Sequence, residues 1–245
     1  MRLLLTIWLG WVLTATAEPR TGDFSLSFKA SELFTPEKLA GYGHAVEGDD
    51  EITWEVYVPP GTDFNKPPGV LTYISPTPSG RLTEAWKPLL AEKNLIWIGA
   101  NRSGNLQRTP PRVVYAILGT ELIRSQYPVD ETRLYLSGFS GGGRVASWTM
   151  TQYSKIYRGA IYFCGVNYYD LAPETYALME PNRYVFMTGT DDFNLRDTRN
   201  VYQRYRKAGF PHLLYMNVPD MGHRLPSVNR LEVALDYLDG VPVPD

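Results

Sequence analysis

Cysteine and net charge are both scarce in this sequence of 245 residues, and each shortage excludes a class of protein. Cys164 is the only cysteine, so no disulfide can form within the chain and the hydrophobic core must stabilise the fold alone. It lies in an apolar, strand-like run over 159–165, which predicts a buried, unreactive thiol. The 24 Lys and Arg nearly balance the 26 Asp and Glu, so the basic field that nucleic acid requires is missing and no nucleic-acid partner is expected.

Long apolar runs are also lacking, apart from a short one at the N-terminus. Met1-Arg2 gives a positive start, residues 3–13 are nearly all apolar, and Ala15-Thr16-Ala17 supplies small residues for cleavage. This layout is typical of a cleaved secretory signal, and the apolar part is about half of the roughly 20 residues that span a bilayer. We therefore expect a signal peptide at 1–17, one domain at 18–245, no stable membrane anchor, and a secreted or periplasmic location.

Metal and cofactor motifs are missing as well. The sequence has no Cys/His cluster, no H-E-x-x-H spacing, and no G-x-G-x-x-G after a strand. It therefore predicts neither a metal nor a cofactor. What the chain does have is 44% apolar residues, enough for a sizeable core in one large domain.

The order of apolar segments predicts an α/β fold: a mostly parallel central sheet with helices on both faces. Two segments alternate apolar and polar residues, as an antiparallel pair at a half-exposed edge would, and six later runs are short and apolar, as buried strands are. The predicted strands are 24–28, 51–58, 70–74, 95–98, 133–136, 160–163, 184–187 and 213–216. The predicted helices are 83–93, 111–126, 141–153, 195–208 and 227–238.

The sharpest chemical signal is the segment Gly138-Phe-Ser-Gly-Gly142, which matches G-x-S-x-G between a predicted strand and a predicted helix. At such a turn the serine takes a strained backbone geometry that lifts its hydroxyl above the sheet. The N–H of the following Gly141 can then donate to an oxyanion at the helix N-terminus. A glycine-rich turn or a phosphate loop is the plainer alternative, but no lysine follows to bind phosphate. We interpret Ser140 as a nucleophile.

A serine hydroxyl needs a base to take its proton, and the chain has three histidines. His44 precedes the core strands and His212 borders a strand, whereas His223 lies in the loop between the last strand and the last helix. His223 is therefore the predicted base.

The third group should be a carboxylate after the strand 184–187, to orient the histidine. Asp191 and Asp192 both follow that strand, and spacing alone does not separate them. Asp197 lies farther on, in the predicted first turn of a helix, where an acid favours the helix dipole.

With these residues the sequence resembles the α/β-hydrolases, and more narrowly the exported esterases that include polyhydroxybutyrate depolymerases and feruloyl or acetylxylan esterases. The resemblance is carried by 127–142, by Gly189-Thr-Asp-Asp-Phe-Asn194 and by Met221-Gly-His223. It implies that the acid is the Asp of a G-x-x-D segment, which falls on Asp192.

One departure from that family affects the oxyanion hole. Related enzymes often have His-Gly after the third core strand, whereas this chain has Ser75-Pro76. Proline has no N–H to donate, so the resemblance points to the amide of Thr77 as the partner of Gly141.

These residues predict a serine hydrolase that cleaves carboxylic esters, with an ester of plant-polysaccharide or polyester origin as a possible substrate. The loops 103–105 and 167–170 follow strands and are candidates to line the substrate cleft. Two alternatives stay open from the sequence: an amidase or peptidase with the same triad, and a non-catalytic binding module on a hydrolase scaffold.

Overall fold

The central sheet has eight strands and is parallel except at one edge. The computed structural model describes residues 19–41 and 45–243. Its strands are β1 Gly22–Lys29, β2 Glu51–Val58, β3 Gly69–Ile74, β4 Leu95–Ala100, β5 Leu134–Phe139, β6 Gly159–Phe163, β7 Arg183–Gly189 and β8 Leu213–Val218. They lie in the order β1-β2-β4-β3-β5-β6-β7-β8, and both neighbours of β2 are antiparallel to it.

Helices follow most of the strands along the chain and cover both faces of the sheet. They are α1 Ala30–Leu33, α2 Pro36–Gly41, α3 Lys87–Glu92, α4 Thr109–Gln126, α5 Gly141–Tyr153, α6 Pro173–Met179, α7 Leu195–Lys207 and α8 Val228–Leu238. A short 3₁₀ helix at Glu84–Trp86 leads into α3. The α/β fold with a mostly parallel sheet, which the sequence predicts, is confirmed.

The core divides into two layers because successive side chains of a buried strand point to opposite faces. In β3, for example, Val70 packs with the layer under α4, α5 and α7, while Leu71 packs with the layer under α3 and α8. Strands β3 to β6 are buried along almost their whole length, as the apolar runs predict. The sheet is therefore a rigid support for the loops at its edge.

All parallel strands end at the same edge, so the loops that follow β3, β4, β5, β6, β7 and β8 lie near one another. These loops, together with the first turn of α5, carry the predicted triad and oxyanion residues Thr77, Ser140, Gly141, Asp192 and His223. None of the helices within 19–41 and 45–243 combines the length and the apolar composition needed to cross a bilayer. The predicted signal at 1–17, and His44, lie outside the described residues.

Candidate active site

Ser140 occupies a sharp turn between β5 and α5, with φ 54° and ψ −120°. Residues other than glycine rarely take this backbone conformation, which costs about 1–3 kcal/mol and is common at functional sites. Glycine at position 142 lets the turn pack closely on β3, because a Cβ there would overlap the carbonyl oxygen of Ile74 at the end of that strand. The G-x-S-x-G segment thus forms the strand-to-helix turn that the motif predicts.

The structure brings Ser140, His223 and Asp192 together in one chain of hydrogen bonds. Ser140 Oγ lies 2.9 Å from His223 Nε2, and His223 Nδ1 lies 2.8 Å from Asp192 Oδ1. Because the carboxylate accepts, Nδ1 carries the proton, and Nε2 is left to accept from the serine hydroxyl. This is the arrangement in which a histidine can remove the serine proton.

His223 is held from the sides by two aromatic rings. The rings of Phe139 and Phe193 lie 4.9 Å and 4.0 Å from the imidazole, measured between centroids. The His223 side chain is 22% exposed.

Asp192 is buried and fully engaged. Besides His223, its carboxylate accepts from the Thr188 hydroxyl at 2.7 Å and from the Asn194 N–H at 3.0 Å. Burial raises the pKa of the Asp192 carboxyl, but the hydrogen bonds from Asn194, Thr188 and His223 outweigh it and lower the pKa below its ordinary value. Asp191, in contrast, is exposed and lies 3.4 Å from the Thr190 hydroxyl.

Asn194 was not singled out by the sequence, yet its side chain braces the acid loop. It occupies the N-cap position of α7 but makes no capping bond. Instead, its amide donates to the Cys164 carbonyl at 2.8 Å and accepts from the Arg144 guanidinium at 3.0 Å. The loops after β6 and β7 are thereby tied to α5, which begins beside the serine. Asp197 lies in the first turn of α7, as predicted.

Cys164 lies directly behind the triad. Its thiol is buried, and its Sγ lies within 4.8 Å of a carboxylate oxygen of Asp192 and a ring nitrogen of His223. Across residues 19–41 and 45–243, these three form the one cluster with metal-binding composition. His223 and Asp192 are hydrogen-bonded to each other, and the Cys164 thiol donates to the Arg224 carbonyl at 3.5 Å. Burial raises the pKa of the Cys164 thiol, which disfavours the reactive thiolate.

On the opposite side of Ser140 lies the predicted oxyanion hole. Gly141 is the first residue of α5, so its N–H has no intrahelical acceptor and points beyond the helix end. Thr77 is exposed, and its N–H donates to the Ser75 hydroxyl at 3.1 Å. The Thr77 amide is therefore already paired within its own loop.

A buried arginine on α4 joins the two loops on this side. The Arg112 guanidinium is 4% exposed and donates to the Ser103 carbonyl at 2.7 Å and to the Ser75 carbonyl at 3.0 Å. Burial lowers the pKa of Arg112 to about 10, so it remains a cation near neutral pH. It forms no ion pair with any described residue.

The loops predicted to line a cleft are both at this edge of the sheet. Asn167, Tyr168 and Tyr169 line a cavity of about 360 Å³ together with residues of α5 and α7. Residues 103–105 pack against Thr77, since a Cβ on Gly104 would lie 2.7 Å from the Thr77 carbonyl carbon.

No family model and no curated protein matches this chain. Solved structures do match its fold. A ferulic acid esterase covers 91% of this chain and 98% of its own at 15% identity and a TM-score of 0.63. An S-formylglutathione hydrolase from Staphylococcus aureus covers 89% and 95% at 14% identity and a TM-score of 0.62. A fluorophosphonate-binding serine hydrolase from the same organism covers 89% and 98% at 13% identity and a TM-score of 0.63.

The strand order, the strained turn at Ser140 and these similarities together define the α/β-hydrolase fold, as the resemblance in the sequence implies. At such low identity the similarity establishes the fold alone. The activity must be argued from the side chains themselves.

Proposed function

We propose that this protein is a serine hydrolase that cleaves carboxylic esters through an acyl-enzyme on Ser140. The observation that carries the proposal is the unbroken hydrogen-bond chain from Ser140 through His223 to Asp192, with Ser140 at a strained turn between strand and helix. The esterases and serine hydrolases of the same fold support it.

In the first step, the Ser140 oxygen attacks the ester carbonyl carbon while its proton moves to His223 Nε2. The carbonyl electrons move to the carbonyl oxygen, which becomes an oxyanion. When the tetrahedral intermediate collapses, the bond to the alcohol oxygen breaks and that oxygen takes the proton from His223. Asp192 stabilises the imidazolium that exists between these events.

In the second step, water replaces the alcohol. His223 takes a proton from the water, the hydroxide attacks the acyl carbon, and collapse returns the proton to Ser140 and frees the acid. The N–H of Gly141 stabilises the oxyanion in both steps. The N–H of Thr77, which the sequence predicts as the second donor, would first have to release or share the Ser75 hydroxyl.

Two exposed apolar side chains on the loops around the site support an ester with an apolar part. Phe193, on the acid loop, is 75% exposed, and Leu106, next to the loop that contacts Gly141, is 102% exposed. Phe193 packs on the His223 ring, so its exposed face borders the position of a substrate bound at Ser140. An ester derived from a plant polysaccharide or a polyester presents such a part, and the expected signal at 1–17 suits export to reach it.

The test is an assay of residues 18–245 with a series of chromogenic acyl esters. Wild type should turn over, and Ser140→Ala and His223→Ala should each lose on the order of 10⁶-fold in kcat. Asn229→Ala, an exposed residue on α8, is the matched control and should behave as wild type. Amide turnover without ester turnover would favour the amidase alternative, and no turnover with retained ligand binding would favour a binding module.

A further inference from the structure

The Asn105 side chain lies against Gly141 with no hydrogen-bond partner. A Cβ on Gly141 would overlap Asn105 Oδ1 and would lie 2.8 Å from Cγ and 3.1 Å from Nδ2. The Asn105 amide makes no hydrogen bond with any described residue. An amide in contact with the residue that follows the nucleophile, and free to donate, is placed to meet a group bound at Ser140.

The backbone offers few other donors on this side. Pro76 has no N–H, and the Thr77 N–H already donates to the Ser75 hydroxyl. To stabilise an oxyanion, the Thr77 amide would have to leave or share that bond. The Asn105 amide loses no protein partner when it donates.

Although Asn105 is exposed, its backbone is fixed. Its N–H donates to the Pro76 carbonyl at 2.9 Å, and Arg102, three residues earlier, donates its N–H to the Pro78 carbonyl. The Arg112 guanidinium ties the same two loops together from below. Because the backbone is fixed, only the side-chain torsions of Asn105 have to be set for its amide to donate, and little reorganisation is needed during the step.

We propose that the Asn105 side-chain amide donates from Nδ2 to the oxyanion, as the partner of the Gly141 N–H. The inference rests on the proposed function, since the oxyanion arises only in acyl transfer. Rotation about the Cβ–Cγ bond of Asn105 directs the NH₂ end toward the substrate, and neither end gives up a protein hydrogen bond in turning.

The test compares Asn105→Ala and Asn105→Asp with wild type on a small activated ester. Removing one oxyanion donor lowers kcat on the order of 10²–10³-fold, with little change in KM. Asn105→Asp should lose at least as much, because a carboxylate offers no donor and repels the oxyanion. Both variants should unfold at the wild-type temperature, since the backbone bond to Pro76 is unchanged.

A double-mutant cycle locates the side chain independently. Gly141→Ala should lower kcat in the wild-type background, because the new methyl group displaces the Asn105 amide. In the Asn105→Ala background the methyl group has room, so the further loss should be smaller. Additive losses would contradict the placement of Asn105.

The rate of phosphonylation by a fluorophosphonate, followed by intact mass, gives a readout that needs no known substrate. Wild type should be labelled on Ser140, and both Asn105 variants should be labelled more slowly. Unchanged kcat and labelling rates in both variants, with Ser140→Ala inactive, would overturn the role of Asn105 while leaving the esterase standing. Wild type that neither turns over nor becomes labelled would overturn the proposed function itself, and the role of Asn105 with it.

Discussion

The two walls that flank Ser140 differ in how completely their polar groups are paired. On the triad wall, formed by the loops after β6, β7 and β8, the Asp192 carboxylate accepts from three groups and Asn194 bonds on both ends of its amide. On the oxyanion wall, formed by the loops after β3 and β4, neither the Asn105 amide nor the buried Ser103 hydroxyl has a hydrogen-bond partner among the described residues.

Under the proposed function, the difference follows from when each wall meets charge. Asp192 carries its charge before substrate arrives, so the protein must supply its partners permanently. The oxyanion exists only during reaction, so the groups that meet it must be left unpaired until then. An enzyme of this kind is stabilised on one side of its nucleophile and incomplete on the other.

The largest effect should come from the triad wall. Asp192→Asn should lower kcat by about 10⁴-fold, because the amide no longer enforces the right histidine tautomer. Asp191→Asn is the matched control and should keep wild-type kcat, since its side chain is exposed. The reverse pattern would assign the acid to Asp191.

Gly142 packs the first turn of α5 against the end of β3. Gly142→Ala should lower the free energy of unfolding by about 1–3 kcal/mol, because its methyl group would overlap the backbone of Ile74, which cannot move as a side chain can. Urea denaturation measures the change. The Gly141→Ala variant should lose much less stability, as its obstacle is the flexible Asn105 side chain.

The pairing of Asp192 should also be visible as a pH dependence of stability. Its folded-state pKa is lowered, so its stabilising contribution is complete above the unfolded-state pKa of about 3.9 and is lost as the pH falls through the folded-state value. The stability difference between wild type and Asp192→Asn should therefore shrink as the pH falls below about 4. A difference that does not change with pH would mean that the hydrogen bonds of Asp192 do not favour its ionised form.

The smallest effect should come from the rim. Phe193→Ala removes a ring that contacts His223 and offers apolar surface to substrate. Since aromatic contacts contribute about 0.5–1.5 kcal/mol, kcat/KM should fall roughly 2–10-fold, and more for long acyl chains than for acetate. Val241 is an exposed apolar residue after α8, and Val241→Ala should leave kcat/KM and its dependence on acyl chain length unchanged.

The sequence predicted the elements that have strong patterns. The eight predicted strands all appear, and α4, α5, α7 and α8 lie within two residues of their predicted bounds. The helices α1, α2 and α6 were missed because four to seven residues are too few to show a helical period. The predicted helix 83–93 is divided, with a 3₁₀ turn before α3.

The site shows the same division. Ser140, Asp192 and His223 were predicted because their order along the chain and their flanking motifs are local signals, and the structure places all three within hydrogen-bonding distance. Asn194, Arg112 and Cys164 were assigned no role there, because their contributions depend on which distant backbone they meet. A carbonyl acceptor leaves no mark in sequence, and the partners of Asn194 and Arg112 include such carbonyls.

The hydrogen bonds of Arg112 to the loops after β3 and β4 limit how this protein can be re-engineered. Because one guanidinium bonds to the carbonyls of two different loops, neither loop can be exchanged alone without leaving a buried cation short of an acceptor. A graft that replaces residues 101–107 to alter specificity should succeed only together with residues 75–80 or with a neutral side chain at Arg112. The two loops and the start of α4 therefore have to be exchanged together, as one structural unit.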